Sequence, residues 1–167
     1  MSQYLAYRGF SLQRCAASTK VLLTSFNVVV ALAVALGVVM YQVRTRLTPV
    51  GTAAYYSGAA PDQYAGPSAL ELLDATHPHL FASAFLLFVL GHLFALTRAS
   101  QRTKTRLAVL GFTAVVVDAA APWMVRFVWV PFATVQVLNT ALLAAVVAIY
   151  LAVPLWELWF ARPSPQA

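Results

Sequence analysis

Three histidines are the residues of this chain best suited to chemistry, and all three fall within one short stretch. Residues 68–97, SALELLDATHPHLFASAFLLFVLGHLFALT, contain His77, His79 and His92, the only imidazoles of the 167 residues. A neutral imidazole can ligate haem iron or a transition-metal ion. The stretch is almost entirely apolar after His79, and about 20 apolar residues are enough to cross a bilayer. An ionisable side chain inside such a helix is costly, which makes each histidine a candidate functional residue.

Composition indicates that the helix bearing the histidines belongs to a membrane protein. The chain is 61% hydrophobic and 10% charged, with a net charge of +6 and a mean hydropathy of +0.75. A soluble domain is about a quarter charged. We therefore predict an all-α integral membrane four-helix bundle whose first partner is the lipid bilayer.

No catalytic motif accompanies the histidines. The sequence has no Gly-rich phosphate loop and no Ser or Cys beside a His–acid pair, so nothing predicts a hydrolase. The single Cys15 excludes an internal disulfide. Whether the protein is an enzyme stays open, and an electron carrier or accessory subunit is favoured. The basic residues are explained by membrane topology and predict no nucleic-acid partner.

Four apolar runs define the predicted domain organisation. The spans are expected at about 21–43, 77–97, 107–121 and 132–153, within a transmembrane domain of residues 21–160. Residues 1–20 form an N-terminal segment, 44–76 an external loop, and 161–167 a tail. Within the loop, breakers such as Pro49, Gly51 and Gly58 predict that residues 47–67 lack regular structure. Ser68-x-x-Glu71 has capping-box spacing and predicts a helix start near Ala69. Proline at position 78 predicts a kink or a restart. The first run is too long for a typical signal peptide and is expected to be a retained helix.

Basic residues give the orientation. With the N-terminus inside, eight Lys and Arg residues fall on the inner side: Arg8, Arg14, Lys20, Arg98, Arg102, Lys104, Arg106 and Arg162. Only Arg44, Arg46 and Arg126 fall outside. This bias predicts that both termini are cytoplasmic, in a bacterial inner membrane. Tyr55, Tyr56 and Tyr64 would then anchor the external loop at the membrane interface.

The rise per residue of an α-helix places the polar residues at two depths in the membrane. An outer layer is expected to bring together His77, His79, Asp118 and Gln136, so that Asp118 meets a polar partner rather than lipid. An inner layer is expected to contain His92 and Asn27.

Haem b is the cofactor that the histidine spacing favours. On a continuous helix His77 and His92 are about 22 Å apart along the axis and about 60° apart around it, which suits two haems at two depths. His79 is a further candidate ligand with a poorer angle to His92. Gly91 could leave room for a macrocycle. Two bis-histidine haems need four histidines, so a second protomer, Met40 or Met124 would have to complete the ligation, unless one haem is five-coordinate.

Two other hypotheses remain open at this point. His77, His79 and Asp118 could hold a transition-metal ion at the outer face. On a continuous helix, however, the two rings diverge by about 160°, so this site needs a non-helical start at Pro78. Alternatively the histidines are structural and no cofactor binds. His77 and His79 would then be interfacial residues that cap a helix, and His92 would join two helices through a hydrogen bond to Asn27 or to a backbone carbonyl.

Several short motifs resemble a family of small bacterial four-span membrane proteins. They are Tyr55-Tyr56-x-Gly58, Thr76-His77-x-His79-Leu80-Phe81 and Gly91-His92-Leu93-Phe94, and the resemblance extends over roughly residues 20–160. It implies the four-span topology and marks the histidines, but it implies no activity. Proline 78 stands where the pattern has an aromatic residue, so we expect an altered helix start. A thinner resemblance to membrane b-type cytochrome bundles rests on histidine spacing and helix count.

Together these features predict an electron-transfer component associated with haem or a quinone. We expect it to act as a homodimer or as a subunit of a larger membrane complex. The alternative is a non-enzymatic structural or assembly subunit that docks through its external loop.

Overall fold

The structure, a computed structural model, describes residues 12–58 and 65–161. The described chain begins with a short 3-10 helix, Leu12–Arg14, and continues with five α-helices: α1 (Ala17–Thr45), α2 (Pro49–Ser57), α3 (Ala69–Ala95), α4 (Gln101–Phe127) and α5 (Phe132–Trp159). Helices α1, α3, α4 and α5 are long and apolar enough to cross a membrane. The predicted all-α class with four spans is confirmed. The expectations for residues 1–11, Tyr64 and residues 162–167 lie outside the described residues.

The start of α3 follows from the predicted capping box. The Ser68 hydroxyl accepts a hydrogen bond from the Glu71 backbone N–H at 3.2 Å, and the Glu71 carboxylate accepts one from the Ser68 N–H at 2.7 Å. These bonds satisfy two backbone donors that the first turn of a helix leaves unpaired. The predicted start at Ala69 is confirmed.

Three prolines lie inside the spanning helices without ending them. The expectation of a restart at Pro78 was wrong, because α3 runs continuously through it, and α4 and α5 continue past Pro122 and Pro154. A kink at Pro78 stays a prediction. Each proline costs one hydrogen bond to the carbonyl four residues earlier. Spanning helices tolerate this loss because neighbouring helices and local adjustments compensate for it. The helices are therefore longer than the predicted spans.

Helix α2 occupies part of the predicted external loop, and the expectation of irregular structure there was wrong for residues 49–57. The Thr48 hydroxyl caps the helix by accepting the Gly51 N–H at 3.0 Å, and Pro49 takes the first helical position. Gly58 ends the helix with a φ of 83°, which favours glycine. A β-carbon at Gly51 would collide with the Thr45 carbonyl, so α2 folds directly back onto the end of α1.

Helix α5 is the centre of the packing. It contacts each of the other four α-helices and the 3-10 helix, whereas α1 contacts α2 and α5 but not α3. The main core cluster consists of Val30, Leu87, Leu90, Phe94, Val115, Val146, Val147 and Tyr150. The span in α1 is the least buried of the four. An open side therefore remains between α1 and α3.

One end of the bundle collects the start of α1, the α3–α4 turn and the end of α5. The Trp159 indole N–H donates to the Thr24 hydroxyl at 3.0 Å, and the Arg98 backbone N–H donates to the Glu157 carboxylate at 2.9 Å. The other end holds α2, the start of α3 and the α4–α5 turn. That the first end faces the cytoplasm stays a prediction.

Candidate functional site

Helix α3 presents two of its histidines on one exposed face. His77, Phe81, Phe85, Phe88 and His92 follow one another at intervals of four, four, three and four residues, the repeat of a single helical stripe. All five side chains are exposed, the three phenylalanines by 73%, 63% and 64% in chain order. The core-facing residues of α3 are Leu72, Leu87, Leu90 and Phe94. We call the five exposed residues the α3 stripe, and it faces away from the bundle.

The continuity of α3 fixes the geometry of the two stripe histidines. Because no restart occurs at Pro78, His77 and His92 stay about 22 Å apart along the axis and about 60° apart around it. The His92 ring stacks on Phe88, with ring centroids 6.4 Å apart. Among the residues that the structure describes, neither His77 nor His92 has a hydrogen-bond partner.

The structural hypothesis gave His92 a hydrogen bond with Asn27 or with a backbone carbonyl, and among the described residues His92 forms neither. Asn27 is buried, and its side-chain amide donates to the Leu23 carbonyl at 2.7 Å within α1. The Asn27 Oδ1 has no hydrogen-bond partner. The predicted inner layer is therefore not a connected site.

His79 lies off the stripe and pairs with Asp118. Its Nε2 is 3.2 Å from the Asp118 Oδ2, with the carboxylate mostly buried and the imidazole mostly exposed. The expectation that Asp118 meets an outer-layer partner is confirmed. His77 belongs to the stripe, roughly 160° around the helix from His79. In the described part of the chain no three His, Cys, Asp or Glu side chains form a group that could hold a metal ion. The three-residue metal site stays a prediction that the structure does not assemble.

Gln136 meets Tyr56 in the outer layer rather than Asp118. Gln136 is 4% exposed, and its amide N–H₂ donates to the Tyr56 hydroxyl at 3.4 Å. The amide oxygen has no hydrogen-bond partner. Burial raises the pKa of the Tyr56 phenol to about 12, so this group is protonated and neutral at physiological pH. Arg126 holds α2 in place by donating to the Ser57 carbonyl at 2.9 Å.

The position of Gly91 does not support the expectation that it leaves room for a macrocycle beside His92. A β-carbon at Gly91 would lie 3.7 Å from the Tyr150 ring, so the glycine faces α5 and not the stripe. Free space beside the stripe is found on the side of α3 that faces α1. An open apolar groove of roughly 460 Å³ lies between Phe26 of α1 and α3, where its lining includes Phe81 and Phe85.

Glu157 is the buried ionisable residue that sequence reasoning missed. It is 9% exposed, and both carboxylate oxygens accept the Arg98 backbone N–H, at 2.9 and 3.1 Å. The available signal was a lone acid between Trp156 and Trp159. The predicted fourth span ended at residue 153 and so left Glu157 outside it, although α5 continues to Trp159.

Comparison with known proteins identifies a family that matches most of this chain. Residues 46–165 match a family model described as a transmembrane helical domain. The matched region contains α2 to α5 and all three histidines, and it leaves α1 outside. No similar chain is found among curated proteins or among solved structures.

Proposed function

The chain belongs to the Aq_1264_TM family of transmembrane helical domains, and from that premise we propose that it is a membrane electron-transfer component that binds haem b. His77, near the outer end of α3, and His92, at the inner level, are the residues that would hold the haem iron. The observation that carries this proposal is the α3 stripe, in which two imidazoles without a hydrogen-bond partner among the described residues share one exposed face with three exposed phenylalanines.

The position of His92 favours a cofactor over a structural role. Histidines that join helices donate or accept a hydrogen bond across the interface, and His92 has no such partner among the described residues. A polar group in hydrocarbon without a partner costs several kcal/mol. Iron ligation would satisfy the imidazole nitrogen, and Phe88 beside it would supply apolar contact to a porphyrin.

The spacing of the two ligands favours electron transfer across the bilayer. Haems on His77 and His92 would lie at two depths about 22 Å apart, one near each membrane surface. The apolar surroundings and the axial ligands are what the protein contributes to the reduction potential.

An absorption spectrum tests the proposal. Protein produced with ample haem and purified in mild detergent should show a Soret band that sharpens on reduction. His77→Ala and His92→Ala should each remove one haem population and leave the helices folded, because packing rather than the imidazole stabilises the bundle. His79→Ala is the matched control on the same helix, and it should leave the spectrum unchanged.

The same variants separate the competing hypotheses. A metal site at the outer face predicts bound metal that depends on His77, His79 and Asp118 but not on His92. A structural or assembly subunit predicts a colourless protein. Complete absence of Soret absorbance in haem-replete wild-type protein would refute the haem proposal.

A further inference from the structure

We infer that the α3 stripe is the docking face for a second copy of this chain and that each haem iron is held by one histidine from each copy. This inference rests on the proposed function, because it adds the partner and the second axial ligand to the same site. The stripe consists of His77, Phe81, Phe85, Phe88 and His92.

One chain cannot supply both ligands to an iron on the stripe. All three histidines lie on α3, the two stripe histidines are about 22 Å apart, and His79 is held by Asp118 at 3.2 Å. An iron bound to an outward-facing imidazole lies farther from the bundle than the imidazole itself. Its opposite ligand must lie farther still, beyond the chain's own surface.

The two methionines that the structure describes, Met40 and Met124, are poorly placed for that role. Met40 lies on α1, which does not contact α3 in the described structure. Met124 lies on α4, which packs on α3 through the His79–Asp118 and Trp123–Thr76 contacts. Those contacts lie away from the stripe.

A second copy offers the missing ligand at both depths at once. All copies of one chain cross the membrane in the same direction, and a two-fold axis along the membrane normal makes an interface in which each surface meets itself. Each stripe histidine would then face the same histidine of the second copy at equal depth. The dimer would therefore have two bis-histidine sites, although each chain contributes only two histidines.

The apolar part of the stripe fits the region between the two haem levels. An aromatic side chain can bury 150–250 Å², so three mostly exposed phenylalanines from each copy would bury on the order of 600–1,000 Å² before any haem contact is added. A stable interface is expected to bury about 1,000 Å² or more. Helices α1, α4 and α5 also expose apolar residues to lipid, but none of those surfaces carries an imidazole that would remain unpaired without a partner.

Site-directed cross-linking in native membranes tests this face. The starting variant is Cys15→Ser, which removes the only cysteine. Phe85→Cys places a thiol at the middle of the stripe, and Leu138→Cys on α5, where the native side chain is 67% exposed, is the matched control. With a short bifunctional thiol reagent, Phe85→Cys should yield mostly cross-linked dimer and Leu138→Cys mostly monomer. Phe88→Cys provides a second stripe position should Phe85→Cys fail to insert.

Haem content measured on the same membranes separates the two proposals. Dimer formation through the stripe with haem lost on His77→Ala or His92→Ala supports both. Stripe thiols that remain monomeric in a protein that binds haem would overturn the shared ligation and leave the proposed function intact. Equal cross-linking at Phe85→Cys and Leu138→Cys would also overturn the docking face. Efficient stripe cross-linking in a protein without haem would overturn the shared ligation together with the proposed function.

Discussion

Replacing Glu157 should loosen the end of the bundle at which three helices meet. Its carboxylate accepts the Arg98 backbone N–H at 2.9 and 3.1 Å, and that N–H follows directly on the end of α3. The bond therefore ties the α3–α4 turn to the last turn of α5. Arg98 also donates from its guanidinium to the side-chain oxygen of Gln13 in the 3-10 helix, at 2.9 Å.

The expected magnitude follows from the charge of the acceptor. A hydrogen bond to a charged group contributes about 1.5–3 kcal/mol, and leaving its partner unpaired costs a comparable amount. Glu157→Ala should therefore lower the free energy of unfolding by about 2–3 kcal/mol. Glu157→Gln keeps one oxygen acceptor but loses the charge, and it should cost about 1 kcal/mol.

Unfolding in mixed micelles with an increasing fraction of denaturing detergent, followed by tryptophan fluorescence, measures these differences. Asp74→Asn is the matched control, because it makes the same kind of change at an exposed carboxylate of α3. A Glu157→Ala protein within 0.5 kcal/mol of the wild type, in the range of ordinary surface substitutions, would refute the reasoning. An equal loss in Asp74→Asn would refute it as well.

Three further predictions follow from the outer end of the bundle and from the charge bias. Asp118→Asn should lower stability by about 0.5–1 kcal/mol, since its partner is mostly exposed, and combination with His79→Ala should add little in a double-mutant cycle of thermal unfolding. The pKa of Tyr56 is raised to about 12 from about 10 in the unfolded chain, so its contribution is fully present below pH 10 and is lost as the pH rises from 10 to 12. Loss of this contribution should lower stability by roughly 2–3 kcal/mol over that interval, and Tyr56→Phe should make the fall in a pH series of unfolding curves smaller by that amount. Reporter fusions should place Ser100 in the cytoplasm and Ala60 outside, and a cytoplasmic signal at Ala60 would reverse the predicted orientation.

The parts of the fold that depend on local signals could be predicted from the sequence. Four apolar runs gave four spans, and Ser68 with Glu71 gave the start of α3, because a capping box involves residues only three apart. Helix α2 was missed because Pro49 and Gly58 were treated as breakers. At the first helical position and just after the last one, these residues are helix boundaries.

The face on which the histidines lie could not be predicted from α3 alone. A helix that is apolar all round shows no difference between a lipid-facing and a core-facing side. Phe85 and Leu87 are both large apolar residues, so the sequence does not distinguish their environments. In the structure Phe85 is 63% exposed, whereas Leu87 is 3% exposed and belongs to the core. The pairing of His79 with Asp118 was expected as one of several outcomes. The sequence gives the depth of each residue in the membrane, but it does not give the rotation of each helix about its axis.

The ratio of haem to polypeptide in purified protein tests the central claim most directly. Haem shared between two copies at the levels of His77 and His92 predicts one haem per chain, in a bis-histidine low-spin state. The ratio should fall to about half in His77→Ala and in His92→Ala and stay at one in His79→Ala. A wild-type ratio of zero would contradict haem binding, and a ratio of two haems per chain would contradict the sharing of ligands between copies.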